Sequence, residues 1–218
     1  MEYVFLDNVS STQDYIKERI FNDKYDLAVL TNSQSLGRGR RDREWESPSG
    51  GLWFSFDTLF TNEMITLKIG VAVREVIEEV YKVKILIKWP NDLIIDNKKV
   101  GGILCEKVKD RVIIGVGINT NLAKIEVENS ISLFDKTKKI VNNKDLMEKI
   151  IDKFLEIKDN DIVNKFRENM AFINEEKYIS SINKKAKIIG VSDEGHLIIE
   201  DSGETKNIFV GEIMIDKN

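Results

Sequence analysis

Residues 84–119 read KILIKWPNDLIIDNKKVGGILCEKVKDRVIIGVGIN, and their pattern decides the fold. Four apolar runs, at 84–88, 92–96, 100–106 and 111–118, have strand length. Asn97-Lys98 makes the turn between the second and third runs, and Lys109-Asp110 the turn before the fourth. Pro90 lacks a backbone donor and breaks strand continuity after Trp89. Glycines stand inside the last two runs, at Gly101-Gly102 and at Gly115 and Gly117. Glycine weakens a strand unless a ligand or another backbone must come close. Two neighbouring strands with such gaps suggest a flat apolar slot against a sheet. Cys105 lies on one of them and reads as a small buried hydrophobe, since no histidine stands nearby to activate it. Lys88 ends an apolar strand, where a partly buried charge needs an anionic partner. An ordinary strand-end lysine is simply solvated, so Lys88 alone decides little.

Upstream, 2–6 and 26–31 read as strands, with a helix over 13–20 capped by Ser10, Ser11 or Thr12. A polar stretch from 32 to 51 follows, long enough to be functional. Residues 52–58 alternate as a strand, and 64–81 carry apolar positions at helical spacing. Downstream, Leu146 to Leu155 and Ile162 to Met170 form two further apolar helical stripes, read as core. The tail changes character. Short strands at 186–190, 196–200 and 206–210 alternate with glycine turns, giving a small β-barrel or sandwich. Too small to be stable alone, it is expected to dock on the main body. The expected division is 1–180 for a catalytic domain and 181–218 for a small β domain. The lone His196 sits beside a turn and reads as a surface or strand-edge side chain.

The segment 34–45, QSLGRGRRDREW, puts four arginines within six residues of a chain whose net charge is −4. Charges packed this densely repel and gain little by themselves. Gly37 and Gly39 permit positive φ and close approach of backbone N–H groups to an anion. Guanidinium groups grip phosphate oxygens in pairs, and Trp45 offers a flat face to a purine. As a bare pattern, Gly-Arg-Gly-Arg favours a solvated, flexible basic loop, or an RNA-contacting one, over a phosphate clamp. It is neither a Walker loop nor a dinucleotide fingerprint.

Composition bounds the rest. Hydrophobic residues make up 42% and charged residues 32% of 218, as in ordinary globular proteins. An acidic balance disfavours general nucleic-acid binding. One cysteine excludes an internal disulfide, and the start MEYVFLDNVSS lacks a basic n-region, so a reducing, cytoplasmic setting without membrane contact is expected.

Taken in order, Ser11-Thr12, the Gln34–Trp45 loop, Ser47-Pro48-x-Gly-Gly-Leu-Trp, Lys88-Trp-Pro-Asn-Asp, Gly102-Ile-Leu and Gly115-x-Gly-Ile-Asn resemble the biotin protein ligase family. Six motifs in the right order are far more specific than any one. The resemblance extends to Gly211-Glu212-Ile213 near the end. Two departures stand out: Gln13 where the family usually has Asn, and Asp42 where it often has Gly. The resemblance implies an α+β fold, with a mixed or antiparallel sheet backed by helices, as in class II aminoacyl-tRNA synthetases, and a small SH3-like β-barrel. It implies ATP-dependent adenylation of biotin, then transfer to a lysine of a biotin carboxyl carrier domain, with magnesium on the ATP phosphates. Arg40, Arg43 and Lys88 would then be catalytic. Biotin would lie among Ser11, Thr12, Gln13, Gln34, Gly37, Arg38, Gly39, Arg40, Lys88, Gly102, Ile103, Gly115 and Gly117. ATP would meet Arg40, Arg43, Trp45, Lys88, Asn91 and Asn119. Leu36–Arg41 is expected to order over the ligand, because so charged a loop gains partners only when anions arrive. The chain starts at the first catalytic strand, so the helix-turn-helix domain of some members, and its DNA binding, are not expected. A homodimer through a sheet edge is physically available. The rival readings are a lipoate or octanoate ligase, and a non-catalytic biotin sensor or RNA-contacting module.

Overall fold

The computed structural model describes residues 1–215. A strand β1 (Glu2–Val9), a helix α1 (Thr12–Phe21) and a strand β2 (Leu27–Gln34) open the chain. β1 and β2 pair in parallel, and α1 is the crossover. Then come β3 (Leu52–Leu59), the long helix α2 (Ile65–Tyr81) and four strands, β4 (Leu86–Lys88), β5 (Asp92–Ile95), β6 (Lys98–Val108) and β7 (Arg111–Ile118). One sheet takes them all, in the order β1-β2-β3-β7-β6-β5-β4, with every pairing after the first antiparallel. This is the mixed sheet the resemblance implies. The β5–β6 turn lies one residue earlier than expected, with Asp96 and Asn97 at φ 49° and 61°.

Strand alternation sorts the two faces. Leu52, Phe54 and Phe56 of β3 and Val112, Ile114, Val116 and Ile118 of β7 enter the large core. Helix α2 covers that core together with α4 (Asn143–Glu156) and α5 (Ile162–Glu168), which follow the short α3 (Leu133–Thr137). Phe154 of α4 meets Phe56 edge-on at 5.3 Å. The opposite face is covered differently. Ile16 and Ile20 of α1 pack there on Val29, Val108 and Ile113. Further along, β3, β6 and β7 turn Ser55, Gly102, Gly115 and Gly117 to the same side, where Thr12 and Gln13 of the first turn of α1 reach over Ser55 and Gly115. This end of the sheet face is the site.

The tail forms a second sheet of β8 (Glu176–Ile179), β9 (Lys184–Val191), β10 (Leu197–Asp201) and β11 (Glu204–Ile208), antiparallel throughout. Its apolar side joins the large core through Ile179, Ile188, Leu197, Ile199 and Ile213. The docking expected of so small a unit is therefore apolar. The sheet begins at Glu176, ahead of the division at 180 drawn from the sequence, because its first strand EKYI has no alternation to reveal it. No helix among the described residues is long and apolar enough to cross a membrane.

Candidate active site

Ser11 caps α1, its hydroxyl accepting from the Asp14 N–H at 3.4 Å. The cap turns Thr12 and Gln13 inward, where both are buried. Gln34, at the end of β2, accepts from the Thr12 N–H at 2.8 Å and its hydroxyl at 3.0 Å, and donates to Ser47 Oγ at 2.8 Å. Thr12 Oγ1 lies 2.7 Å from Ser55 Oγ on β3. One polar network thus ties the start of α1 to the sheet and to both ends of the arginine loop.

That loop is a folded turn. The Trp45 N–H donates to Gly37 O at 2.9 Å, and the Gly39 N–H to Arg43 O at 2.7 Å. Gly37 is required for close approach: a Cβ there would lie 2.3 Å from the Trp45 carbonyl oxygen. The positive φ expected at Gly37 and Gly39 falls instead on Arg41 and Asp42, at 57° and 58°. Asp42 therefore stands in a conformation glycine would adopt without strain. The expectation that the arginines wait for outside anions is corrected for Arg38, Arg40 and Arg43, because carboxylates of the chain already face them. Arg38 bridges Asp14 at 2.9 Å and Glu106 at 2.7 Å, and Arg43 meets Glu212 at 2.9 Å. Arg40 donates to Asn91 Oδ1 at 3.0 Å and lies 3.8 Å from Glu212.

Lys88 and Asp92 flank the bend carried by the cis Trp89-Pro90 bond. Asp92 holds two ammonium groups, Lys88 at 2.6 Å and Lys99 at 2.7 Å. Burial alone would raise the Asp92 pKa, but Lys88 and Lys99 overcome it and hold the carboxyl below its ordinary value. Lys88 also donates to Ile213 O at 2.9 Å. The arginine turn and Lys88 therefore converge on one segment, 211–213, contributed by the tail.

The sequence pattern of the biotin/lipoate A/B protein ligase family matches residues 5–119. The chain belongs to this family. A biotin protein ligase from Aquifex aeolicus, in complex with biotin and ATP, superposes with a TM-score of 0.89 at 31% identity, covering 100% of this chain and 99% of that one. The bifunctional ligase/repressor BirA of Bacillus subtilis is 40% identical over 130 residues, and that of Escherichia coli 34% over 129. Each match covers 54% of this chain and 40% of the relative, so the chain spans less than half the length of these two relatives.

Within this ligase-family frame, most of the residues expected at the site line one cleft: Ser11, Thr12, Gln13, Gln34, Arg38, Gly39, Arg40, Arg43, Trp45, Asn91, Gly102, Ile103, Gly115 and Gly117. Three expected residues do not. Gly37 is buried beneath the turn. Lys88 sits behind Asp92. The Asn119 amide donates to Ile131 O at 3.2 Å and lines a neighbouring pocket with Leu122, Ile125 and Val127. Ile103 turns its side chain into the core, and its carbonyl accepts from Asn91 Nδ2 at 2.8 Å. Lys99, Asp92, Glu106 and Glu212 were missed. Each is an ordinary charged residue in sequence, and only its register against a strand or the tail brings it here.

The glycine slot is occupied by the protein itself. A Cβ on Gly117 would fall 2.6 Å from Trp45 Nε1, and one on Gly102 would fall 3.2 Å from its ring. Lys99 caps the same ring at 5.0 Å. The cleft that remains holds about 110 Å³, smaller than the ~300 Å³ at the lower end of ligand pockets, because Trp45 takes up the space over Gly102 and Gly117. Gln13 Oε1, Arg38 Nε and Trp45 Nε1, all on residues lining the cleft, are buried without a hydrogen-bond partner. Gly117→Ala is expected to push Trp45 off the sheet and shift its emission to the red. Trp53, buried with its ring 6.3 Å from that of Trp45, would report the same displacement, so the measurement is made in a Trp53→Phe background, where Trp89 is the other, buried, indole. An unchanged spectrum would mean that the indole is not seated on Gly117.

Two side chains behave as the sequence suggested. Cys105 packs partly against the core, and burial pushes its thiol up to about 11, away from nucleophilic chemistry. His196 is half-buried, its ring 4.4 Å from that of Phe209.

Proposed function

We propose that the chain is a biotin protein ligase that adenylates biotin with ATP and passes it to a lysine of a biotin carboxyl carrier domain. The observation that carries this reading is the convergence of Arg40, Arg43 and the Lys88–Asp92–Lys99 cluster beside a glycine-floored slot. A biotin carboxylate oxygen attacks the α-phosphorus, the bond from that phosphorus to the α,β-bridging oxygen breaks, and pyrophosphate leaves with that oxygen. Arginine and lysine charges stabilise the negative charge that spreads over the phosphate oxygens. The carrier amine then attacks the mixed anhydride, AMP leaves, and the amine loses a proton. No covalent enzyme intermediate is required. Magnesium, which prefers phosphate oxygens and retained water, would arrive on the nucleotide and neutralise its charge; Asp92 and Glu212, two carboxylates that line the cleft, are both engaged by cations.

The unpartnered atoms favour biotin over lipoate. A ureido ring supplies an N–H for Gln13 Oε1 and a carbonyl for a buried N–H. A dithiolane supplies neither and would leave Gln13 Oε1 unsatisfied, which a polar site discriminates against strongly. Gln13 also donates to Glu106 at 2.9 Å, so its amide orientation is set before the ligand arrives. We draw the division between the catalytic body and the small β unit ahead of Glu176. Dependence on ATP fits a cytoplasmic location.

The deciding experiment is biotin-dependent exchange of labelled pyrophosphate into ATP, which needs no carrier. Exchange is expected with biotin and not with lipoate, and biotin with ATP should give the larger thermal shift. A larger shift and faster exchange with lipoate would reverse the assignment.

A further inference from the structure

Glu212 lies where the tail crosses the cleft. It is 7% exposed, and its two oxygens face Arg43 at 2.9 Å and Arg40 at 3.8 Å. The backbone around it is fixed. The Glu212 N–H donates to Ser180 Oγ at 2.9 Å, the Ser180 N–H to Glu212 O at 3.1 Å, and the Met214 N–H to Tyr178 O at 2.9 Å. Gly211 has φ 153°, and a Cβ there would strike Ser181 Oγ at 2.7 Å. The neighbours of Glu212 also face cations of the site: Gly211 O lies 3.5 Å from Arg40, and Ile213 O 2.9 Å from Lys88.

We infer that Glu212 is an internal stand-in for nucleotide phosphate, a carboxylate that holds Arg40 and Arg43 and must release them before nucleotide binds. This rests on the ligase reading for the identity of the ligand, though not for the competition itself. Two anions cannot both take the same guanidinium faces. A phosphate chain brings more charge and bidentate geometry than one carboxylate, so it wins, at a reduced apparent affinity. Because the backbone at 211–213 is pinned, the exchange is confined to side chains: Glu212 turns away, and the arginines turn to the phosphates. Burial weakens the charge on Arg40, and Glu212 is the foremost group restoring it. Glu212 therefore also holds the two arginines in place while the site is empty. The tail thereby sets the nucleotide affinity of the main body.

The competition has a sign that a scaffolding role does not share. If Glu212 only positioned the arginines, its removal would weaken anion binding. If it competes, removal strengthens binding. The test is titration calorimetry of the full chain with inorganic pyrophosphate. Glu212→Gln, which keeps the shape and removes the charge, is expected to bind about five-fold more tightly, the scale of one partly exposed ion pair. Glu212→Asp, which withdraws the carboxylate by one methylene, is expected to lie between the two, and it keeps the question open to measurement if the glutamine variant fails to fold. Unchanged or weaker binding in the folded variants overturns the inference. Biotin-dependent exchange by the unaltered protein is run alongside. Exchange without tighter pyrophosphate binding in the variants sinks the stand-in alone. Tighter binding without exchange sinks the ligase reading alone.

Discussion

Lys88→Ala is expected to lower biotin-dependent ATP–pyrophosphate exchange by at least ~10²-fold, the scale for removing one preorganised charge contact. The Lys88 side chain is 8% exposed, so water cannot replace its charge as it would on a surface. Its ammonium has one charged partner, Asp92, and one neutral partner, Ile213 O. It can exchange the neutral carbonyl for a reacting oxygen and still keep the carboxylate that orients it. The loss should fall on kcat more than on KM, because the contact strengthens as charge builds in the transition state. Arg40→Ala should cost a similar factor, since Arg40 is fixed by Asn91 rather than free to be replaced by Arg41 beside it, which is exposed. Steady-state exchange at saturating biotin separates the two constants. Rates within about three-fold of normal in both variants would sink the claim that these cations do the chemistry and would favour a binding module.

The sheet and the site were legible to different depths. Strand period and turn residues in 84–119 located β4 to β7, because those strands are buried and bounded by turns. The spacing of Leu146 to Leu155 located α4, because one face of that helix is core. Sequence hid β8 and α3, whose four and five residues are too short for any period to show. At the site, glycines and clustered arginines could be read locally, since both are unusual wherever they occur. Their use was read less well. Gly37 and Gly39 looked like sources of positive φ, yet Gly37 serves as clearance for the Trp45 carbonyl. The partners of the arginines were invisible, because Glu106 and Glu212 lie 68 and 169 residues beyond Arg38 and Arg43 in the chain. Attraction between distant charges depends on register, and register is a property of the folded sheet.

The largest effect on stability should come from Arg111→Met, expected to cost about 3 kcal/mol by stranding a buried carboxylate. Asp57 is 0% exposed on β3, and Arg111 Nε reaches it at 2.5 Å from the paired end of β7. Arg111 also bridges Asp26, which leads into β2. Burial works against the Arg111 charge, but Asp26 and Asp57 together hold its pKa above the ordinary value. Asp57 in turn accepts the Leu27 N–H at 2.7 Å and the Asp26 N–H at 3.2 Å. One carboxylate thus fastens three neighbouring strands at the end of the sheet. Methionine fills much of the same space without a charge, so the loss isolates electrostatics from packing. For a chain of this size the melting temperature should fall by about 6–12 °C, followed by circular dichroism. Adding Asp57→Asn to Arg111→Met should recover part of that loss, because no charge is then left buried without its partner, while the amide oxygen still accepts the Leu27 N–H. The Asp26 N–H, which meets the other carboxylate oxygen, loses its acceptor, so the recovery is incomplete. A single variant that melts within about 2 °C of the unaltered protein, or a double variant less stable than the single, would show that the pair is not what holds this end of the sheet.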